Sequence, residues 1–505
     1  MKALKALMHE NLHPTLPGFY SDPSICRAGD DYYLTTSTFE YFPGCPLFHS
    51  RDLKHWTQVG HVLNRPEQLP LDRAWISGGI FAPTLRFHGG RFFLITTNPS
   101  APDRNKGNYN FITHTADPLG EWSDPLWIEG MWGIDPDLFW DEDGTCYAQW
   151  SRREKGLSVA DIVIGQAKID PLKGRLLEAP RTLWEGSGGL GVEGPHLYKV
   201  NDWYYLSCAE GGTEFGHMQT LARSRSAQGP FENHPCNPVF SHRSLHTAVH
   251  AVGHADIVEA PSGEWFGVCH GIRALGYPKF HTCGRETFAF PVTWGDDDWP
   301  SFGVDRRLPE TAITEPGVAT FQDDFSNKNQ PLQWTYCRNP QPENYQREKG
   351  SLTLKGWADR ICENNRATWI GVRQQQPACA CEAILSIDFD GDGEAGLTAF
   401  QNLQYHACVG LRQKGGQVEC FTRIRMGELV WEETHPCAAD YKGLRIMAEP
   451  LRYHFEVCQS GRHERLKSFE SRLLSTEFGG RFTGVFFALY AEGGATLRAE
   501  SFSIQ

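Results

Sequence analysis

Five segments in the first 300 residues repeat one another, and nothing else in the chain restricts its fold so strongly. They read GFYSDPSICRAGDDYYLTTS from Gly18, GGIFAPTLRFHGGRFFLITT from Gly78, WGIDPDLFWDEDGTCYAQW from Trp132, GVEGPHLYKVNDWYYLSCA from Gly191, and VGHADIVEAPSGEWFGVCH from Val252. Each opens on a small residue, runs through a short apolar strand into a Gly or Asn/Asp turn, and returns as an aromatic-rich strand, the pattern of a β-hairpin. One position per segment, taken as Asp22, Ala82, Asp135, Glu193 and His254, gives spacings of 60, 53, 58 and 61 residues. A unit of that length, almost without helical periodicity, suits a four-stranded blade set radially about an axis, so five units predict a five-bladed β-propeller. A long sandwich would not require such regular spacing.

The repeat gives out after Trp294, and LPETAITEPGVAT, residues 308–320, reads as a Pro- and Gly-bearing linker. Beyond it, SLTLKG, ACEAILSIDF, RYHFEVC and TGVFFALYA alternate polar and apolar residues, which predicts a β-sandwich of jelly-roll type. The reading is therefore all-β: a propeller over 1–307, a linker over 308–320, and a sandwich over 321–505.

A formal charge of −13 disfavours nucleic acid and anionic membrane surfaces as partners, whereas a neutral sugar is compatible with it. The start, MKALKALMHENLHP, reaches Glu10 and Asn11 before any apolar run long enough for a leader, and no later stretch would span a bilayer. A cytoplasmic protein is expected. The 15 cysteines carry no paired C-x-x-C spacing and are read as reduced core thiols.

In a propeller the innermost strand of each blade faces the central channel, so equivalent positions converge at one end of it. Three of the five aligned positions are carboxylates (Asp22, Asp135, Glu193), one is His254, and Ala82 is chemically inert. Like charges so close repel, so a ring of acids is costly to fold and points to catalysis. Glycoside cleavage asks for this set: one protonated carboxyl for the leaving oxygen, one carboxylate to activate water, and a third whose charge keeps its neighbour protonated. Asp137, two residues beyond Asp135, is read as turned to the other side of its strand.

The motifs GFYSDPSICRAGDDYYLTTSTFEYFPG, GIDPDLFWDEDG, VEGPHLYKVNDWYYLSCAEGGT, GHADIV, GRETFAFPVTW and DDFSNKNQPLQWTYCRNP together resemble glycoside hydrolase family 43, the β-xylosidases and α-L-arabinofuranosidases. The resemblance covers nearly the whole chain. It implies Asp22 as general base, Glu193 as general acid and Asp135 as the residue that tunes and orients the acid. Inversion would follow, with acid and base carboxyls roughly 6.5–9.5 Å apart. It also implies Arg285 as a pocket arginine and Phe39 and Phe81 as sugar-facing aromatics, Phe81 standing where many members carry Trp. Phe482, in FGGRFTGVF, would reach over from the sandwich and close the pocket, making the enzyme exo-acting on terminal pentoses of xylo-oligosaccharides or arabinoxylan fragments. His254 resembles a channel histidine that meets a calcium ion or a water cluster; a histidine satisfied without metal is the alternative, and no cofactor is required. Assembly into homo-oligomers is compatible with the resemblance. A non-catalytic carbohydrate-binding propeller would be expected to lack an acid or base.

One further motif, DFDGDGE, places Asp388, Asp390, Asp392 and Gly393 at calcium-loop positions one, three, five and six. The twelfth is Ala399, where a bidentate Glu is required, so a solvated turn is predicted there.

Overall fold

The computed structural model describes residues 13–103, 105, 107, 109–154, 161–309, 320–436, 441–459 and 462–505. The start of the chain (1–12) and most of the expected linker (310–319) lie outside the described residues. Five antiparallel sheets follow in chain order, and their innermost strands are Ser24–Ala28, Thr84–His88, Ile134–Trp140, Glu193–Val200 and Val249–Glu259. Each contacts the next, and the fifth contacts the first, so the sheets close a five-bladed propeller. Turn chemistry sets the hairpins. Gly89 and Gly90, both at positive φ, join Thr84–His88 to Arg91–Thr97 in two residues, and Asn201 at φ 55° does the same for Glu193–Val200 and Trp203–Glu210.

The N-terminal segment stitches the ring shut: Leu16 N–H donates to Thr287 O and Tyr20 N–H to Arg285 O, both on the last blade. That blade ends beyond Trp294, because Pro300–Phe302 pairs with Glu286–Trp294 as its fourth strand. Blade three departs from four strands by adding the two-residue Arg175–Leu176.

The strand register corrects the alignment of the repeats. Each channel strand of blades three, four and five carries a bulge: Ile134 pairs Ser151 and then Asp137 pairs Gln149; Glu193 pairs Ala209 and then His196 pairs Ser207; Gly253 pairs His270 and then Asp256 pairs Val268. The equivalent of Asp135 and His254 is therefore Gly194, and Glu193 stands one residue earlier, level with Ile134 and Gly253. Backbone angles agree, since Asp22, Asp135, Gly194 and His254 have φ of 54°, 55°, 55° and 53°. Left-handed residues at a bulge swing the backbone and re-aim side chains into the channel.

The second domain is one large, curled antiparallel sheet whose long strands Cys379–Asn402 and Phe486–Ile504 pair along most of their length. Its core includes Trp334, Leu397, Phe455, Phe487 and Phe502. A strand of the propeller chain, Tyr41–Phe42, pairs with Thr335–Cys337 and so joins this sheet. Phe19, Phe39 and Tyr41 share an apolar cluster with Trp369, Phe400 and Phe486. Buried polar side chains fix the junction: Arg338 Nε donates to Ala74 O at 2.8 Å and Arg373 Nε to Phe19 O at 2.8 Å. The sandwich is thus seated on the propeller by a shared apolar cluster and by buried hydrogen bonds.

The acidic segment Asp388–Glu394 is neither calcium loop nor turn. It runs inside the strand Cys379–Asn402, with a register shift between Phe389 and Gly393, and Asp392 accepts from Gly415 N–H. Among the described residues no disulfide forms and most thiols are buried, and no helix is long and apolar enough to cross a membrane.

Candidate active site

The eight site residues proposed from the sequence line one pocket: Asp135, Glu193 and His254 from the channel strands, Asp22 and Arg285 from the bends just before strands Ser24–Ala28 and Glu286–Trp294, Phe39 and Phe81 from the propeller loops, and Phe482 from the sandwich. Ala82, Ile134 and Thr213 complete it. Ala82 is chemically inert but forms part of the wall, and Asp137 is absent from it.

Asp22 is held by donors on both oxygens. Arg285 Nη1 reaches Oδ1 at 2.7 Å, with His270 Nδ1 3.1 Å from the same oxygen. Ser37 Oγ donates to Oδ2 at 2.6 Å and Ser21 Oγ at 3.1 Å. Burial opposes its charge, yet the Arg285 charge and then the His270 hydrogen bond overcome that cost and hold the carboxyl well below the usual range. His270 fits a hydrogen-bond relay. His217 Nδ1 lies 3.2 Å from both Ala251 O and His270 Nε2. A carbonyl only accepts, so His217 carries its proton on Nδ1, while His270 Nδ1 faces Asp22, whose backbone N–H lies 3.3 Å from it.

The other two acids behave in the opposite sense. Burial, then the charge of Asp22, pushes Glu193 up to about 7. Burial, then Glu193 and Asp22, holds Asp135 well above its ordinary value, although Gly194 N–H donates to its Oδ2 at 3.2 Å. One ionised carboxylate therefore faces a pair that keeps a proton near neutrality.

The apolar wall is built from both domains. Phe39 stacks on Phe482 with centroids 5.6 Å apart and interplanar angle 26°, and Phe81 stands 5.5 Å from Phe39. The Arg285 guanidinium lies 5.6 Å from the Phe482 ring and 5.9 Å from the Phe39 ring. Phe482 is anchored by its own N–H on Ser77 Oγ at 3.1 Å. Removing this wall as Phe482→Ala is expected to raise KM for a short glycoside about 10-fold, the loss of roughly 1.4 kcal/mol of contact, with kcat changed far less. Steady-state kinetics on an aryl glycoside check this.

Sequence reasoning missed His270, Thr213 and Ser37. Thr213 Oγ1 accepts from Arg285 Nη1 at 2.9 Å and orients it. His270 sits on the second strand of its blade, opposite Gly253 and outside the aligned positions, so the alignment gave no signal for it.

The calcium expectation at His254 meets an unsuitable donor set. Asp22, His254 and His270 lie close enough to share an ion. Calcium takes six to eight oxygens, whereas this cluster offers two imidazoles and a carboxylate already committed to Arg285, His270 and two serines. Burial lowers His254 to about 3, so it stands as a neutral ring 3.8 Å from Asp22 Oδ1.

A propeller whose pocket sets one ionised carboxylate against a proton-holding pair, between aromatic walls, has the construction of a carboxylate glycosidase. The chain belongs to glycosyl hydrolases family 43: that family's model matches residues 12–300, and the model of the beta xylosidase C-terminal concanavalin A-like domain matches 322–500. It is 38% identical to the non-reducing end alpha-L-arabinofuranosidase BoGH43B of Bacteroides ovatus over 95% of this chain and 91% of that one. It is 35% identical to the xylosidase/arabinosidase 43B of Humicola insolens over 95% and 94%. The crystal structure of xylan beta-1,4-xylosidase from Bacillus halodurans C-125 superposes with a TM-score of 0.88 at 29% identity, covering 98% of this chain and 100% of that one.

Proposed function

We propose that this glycoside hydrolase removes a terminal pentose, β-D-xylose or α-L-arabinofuranose, from xylo-oligosaccharides or arabinoxylan fragments with inversion. The observation that carries the reading is the split proton affinity of the pocket: Asp22 is kept ionised by Arg285, while burial and Asp22 keep a proton on the Glu193 and Asp135 pair. Asp22 acts as the base that draws a proton from water, and Glu193 gives its proton to the departing oxygen. Asp135, one residue of register from Glu193 and bonded to Gly194 N–H, keeps the acid aimed. Phe482 supports an exo mode, because it sets a sandwich side chain in the wall of the propeller pocket. The pentose assignment draws on the activities named for the relatives.

Turnover of an aryl β-xylopyranoside against an aryl α-arabinofuranoside tests the substrate, and cleavage of neither would refute it. Proton magnetic resonance of the first-formed sugar tests the stereochemistry; a retained anomer would demand a covalent mechanism instead.

The same proton affinities set the pH profile. The base is competent above its pKa, which lies well under the ordinary 3.8, and the acid is competent below about 7. Hence kcat/KM is expected to stay level between roughly pH 4 and 6 and to fall about tenfold per unit on the alkaline side. A measured profile with its alkaline limb at the value of an ordinary carboxyl would remove Glu193 from the role.

A further inference from the structure

Beneath the pocket a single guanidinium gathers all five blades. Arg86, on the innermost strand of blade two, sends Nη2 to Asp137 Oδ1 of blade three and Nη1 to Asp256 Oδ2 of blade five, each at 2.8 Å. Its Nη2 also lies 2.9 Å from Nδ1 of His196 on blade four, which must accept because a guanidinium only donates. Ser24 Oγ, on blade one, donates to the same Asp256 oxygen at 2.7 Å and accepts from Leu85 N–H at 3.0 Å. Tyr198 donates to Asp256 Oδ1 at 2.6 Å and Gln149 Nε2 to Asp137 Oδ2 at 2.6 Å, while Asp137 Oδ1 faces the Arg86 charge without a hydrogen bond of its own. Both carboxylate side chains are fully buried. Asp137 is thus in the channel, one layer below Asp135: residues two apart on a strand share a face, which overturns the expectation that it turns to the other side.

The pattern of partners ties this layer to the one above. Ser24, Asp137, His196 and Asp256 each stand two residues after Asp22, Asp135, Gly194 and His254, the left-handed positions at the channel end of their strands. Glu193 immediately precedes Gly194. Burial works against the charge of Arg86, but Asp137 and Asp256 outweigh it and raise its pKa, so the group stays cationic.

We propose that Arg86 is a positioning residue for hydrolysis: it is the channel's resident cation, pairing with Asp137 and Asp256 and fixing from below the segments that carry Asp22, Asp135 and Glu193, so that the channel needs no metal ion. The inference rests on the assignment of Asp22 and Glu193 as base and acid.

The test uses the full chain and whichever aryl glycoside it turns over. Wild-type kcat is expected to be indifferent to EDTA and to added calcium. Arg86→Ala, its folding checked by circular dichroism, is expected to lose about 100-fold in kcat with KM held within about 3-fold, the signature of displaced catalytic groups rather than lost sugar contacts. Guanidinium ion at sub-denaturing concentration should restore part of that loss, which a merely structural defect would not allow. Wild-type activity lost to EDTA and regained with calcium would overturn the proposal, as would near-normal kcat in Arg86→Ala or a loss that guanidinium leaves untouched. Should Arg86→Ala fail to fold, Arg86→Lys keeps a charge that cannot bridge both carboxylates: kcat reduced about 10-fold at unchanged KM supports the proposal, and normal kcat overturns it. Glu193→Gln separates the two layers of argument. If that variant keeps full turnover, the acid assignment fails; if it is inactive while Arg86→Ala is normal, only the role of Arg86 fails.

Discussion

Glu193→Gln is expected to reduce kcat on an unactivated oligosaccharide about 10³-fold or more while leaving oligosaccharide binding nearly intact. The amide keeps the shape and a hydrogen bond but has no proton to give. The loss should shrink steeply on an aryl glycoside with a nitro-substituted leaving group, because such an oxygen departs without protonation. Comparing the two substrates in one variant reads the role of the residue, whereas activity on one alone would not. Equal losses on both would assign Glu193 to something other than leaving-group protonation.

The same substitution has a thermodynamic side. Glu193 is raised from 4.5 to about 7, first by burial and then by the charge of Asp22. A carboxyl whose folded-state pKa is raised contributes its full stabilisation below the unfolded value and loses it as pH climbs through the folded one. At about pH 8 the native acid is an ionised group in an unfavourable place, and Gln there should melt higher, by on the order of 2 kcal/mol. Near pH 4.5 the two forms should melt together. A site tuned for acid catalysis is therefore expected to be a strained part of the fold at alkaline pH.

The propeller was legible in the sequence because each blade repeats a strand, a turn and an aromatic return at nearly constant spacing, and turn residues such as Gly89, Gly90 and Asn201 mark the period. What the spacing hid was one residue of register. Glu193 was aligned with Asp135 by chemistry, carboxylate on carboxylate, but the bulge places Gly194 there. A purely local signal was available: Pro23, Pro83, Pro136 and Pro195 follow Asp22, Ala82, Asp135 and Gly194, and a residue without N–H is tolerated where the ladder is broken. The expectation at Asp137 failed for a different reason: residues two apart share one face of a strand, so Asp137 stays on the channel side with Asp135.

Other features were not legible because they are properties of convergence. Tyr41–Phe42 reads as part of a blade, yet pairs with Thr335–Cys337 nearly 300 positions away, since its partner is set by how the sandwich docks. Arg86 is an ordinary residue of a short strand, and only five strands meeting at one axis turn its fork into a hub. The acidic run from Asp388 misled differently: its composition is that of a turn, but Phe486–Ile504 pairs with it at both ends, Asp388 with Thr496 and Gly393 with Gly493, and keeps it within the strand. Tertiary pairing overrode local preference there.

Asp22→Asn should be more damaging than any other single change in the pocket, and in a manner that separates it from Glu193→Gln. Activation of water is needed whatever group departs, so the loss, about 10⁴-fold in kcat/KM, should be the same for activated and unactivated substrates. A loss that depended on the leaving group would exchange the two roles. The fold should suffer as well, because Asn leaves Arg285 buried without its counter-charge, a cost of about 3 kcal/mol at neutral pH. Asp22 is depressed well below 3.8, so its contribution is present above that value and fades as pH falls through the lower, folded-state pKa. Thermal melts of wild type and variant should therefore converge in strong acid and stand furthest apart above about pH 5, opposite in sense to the pair formed by wild type and Glu193→Gln. Two carboxyls in one pocket, moved in opposite directions by Arg285 and by burial, thus leave opposite marks on stability as well as on rate.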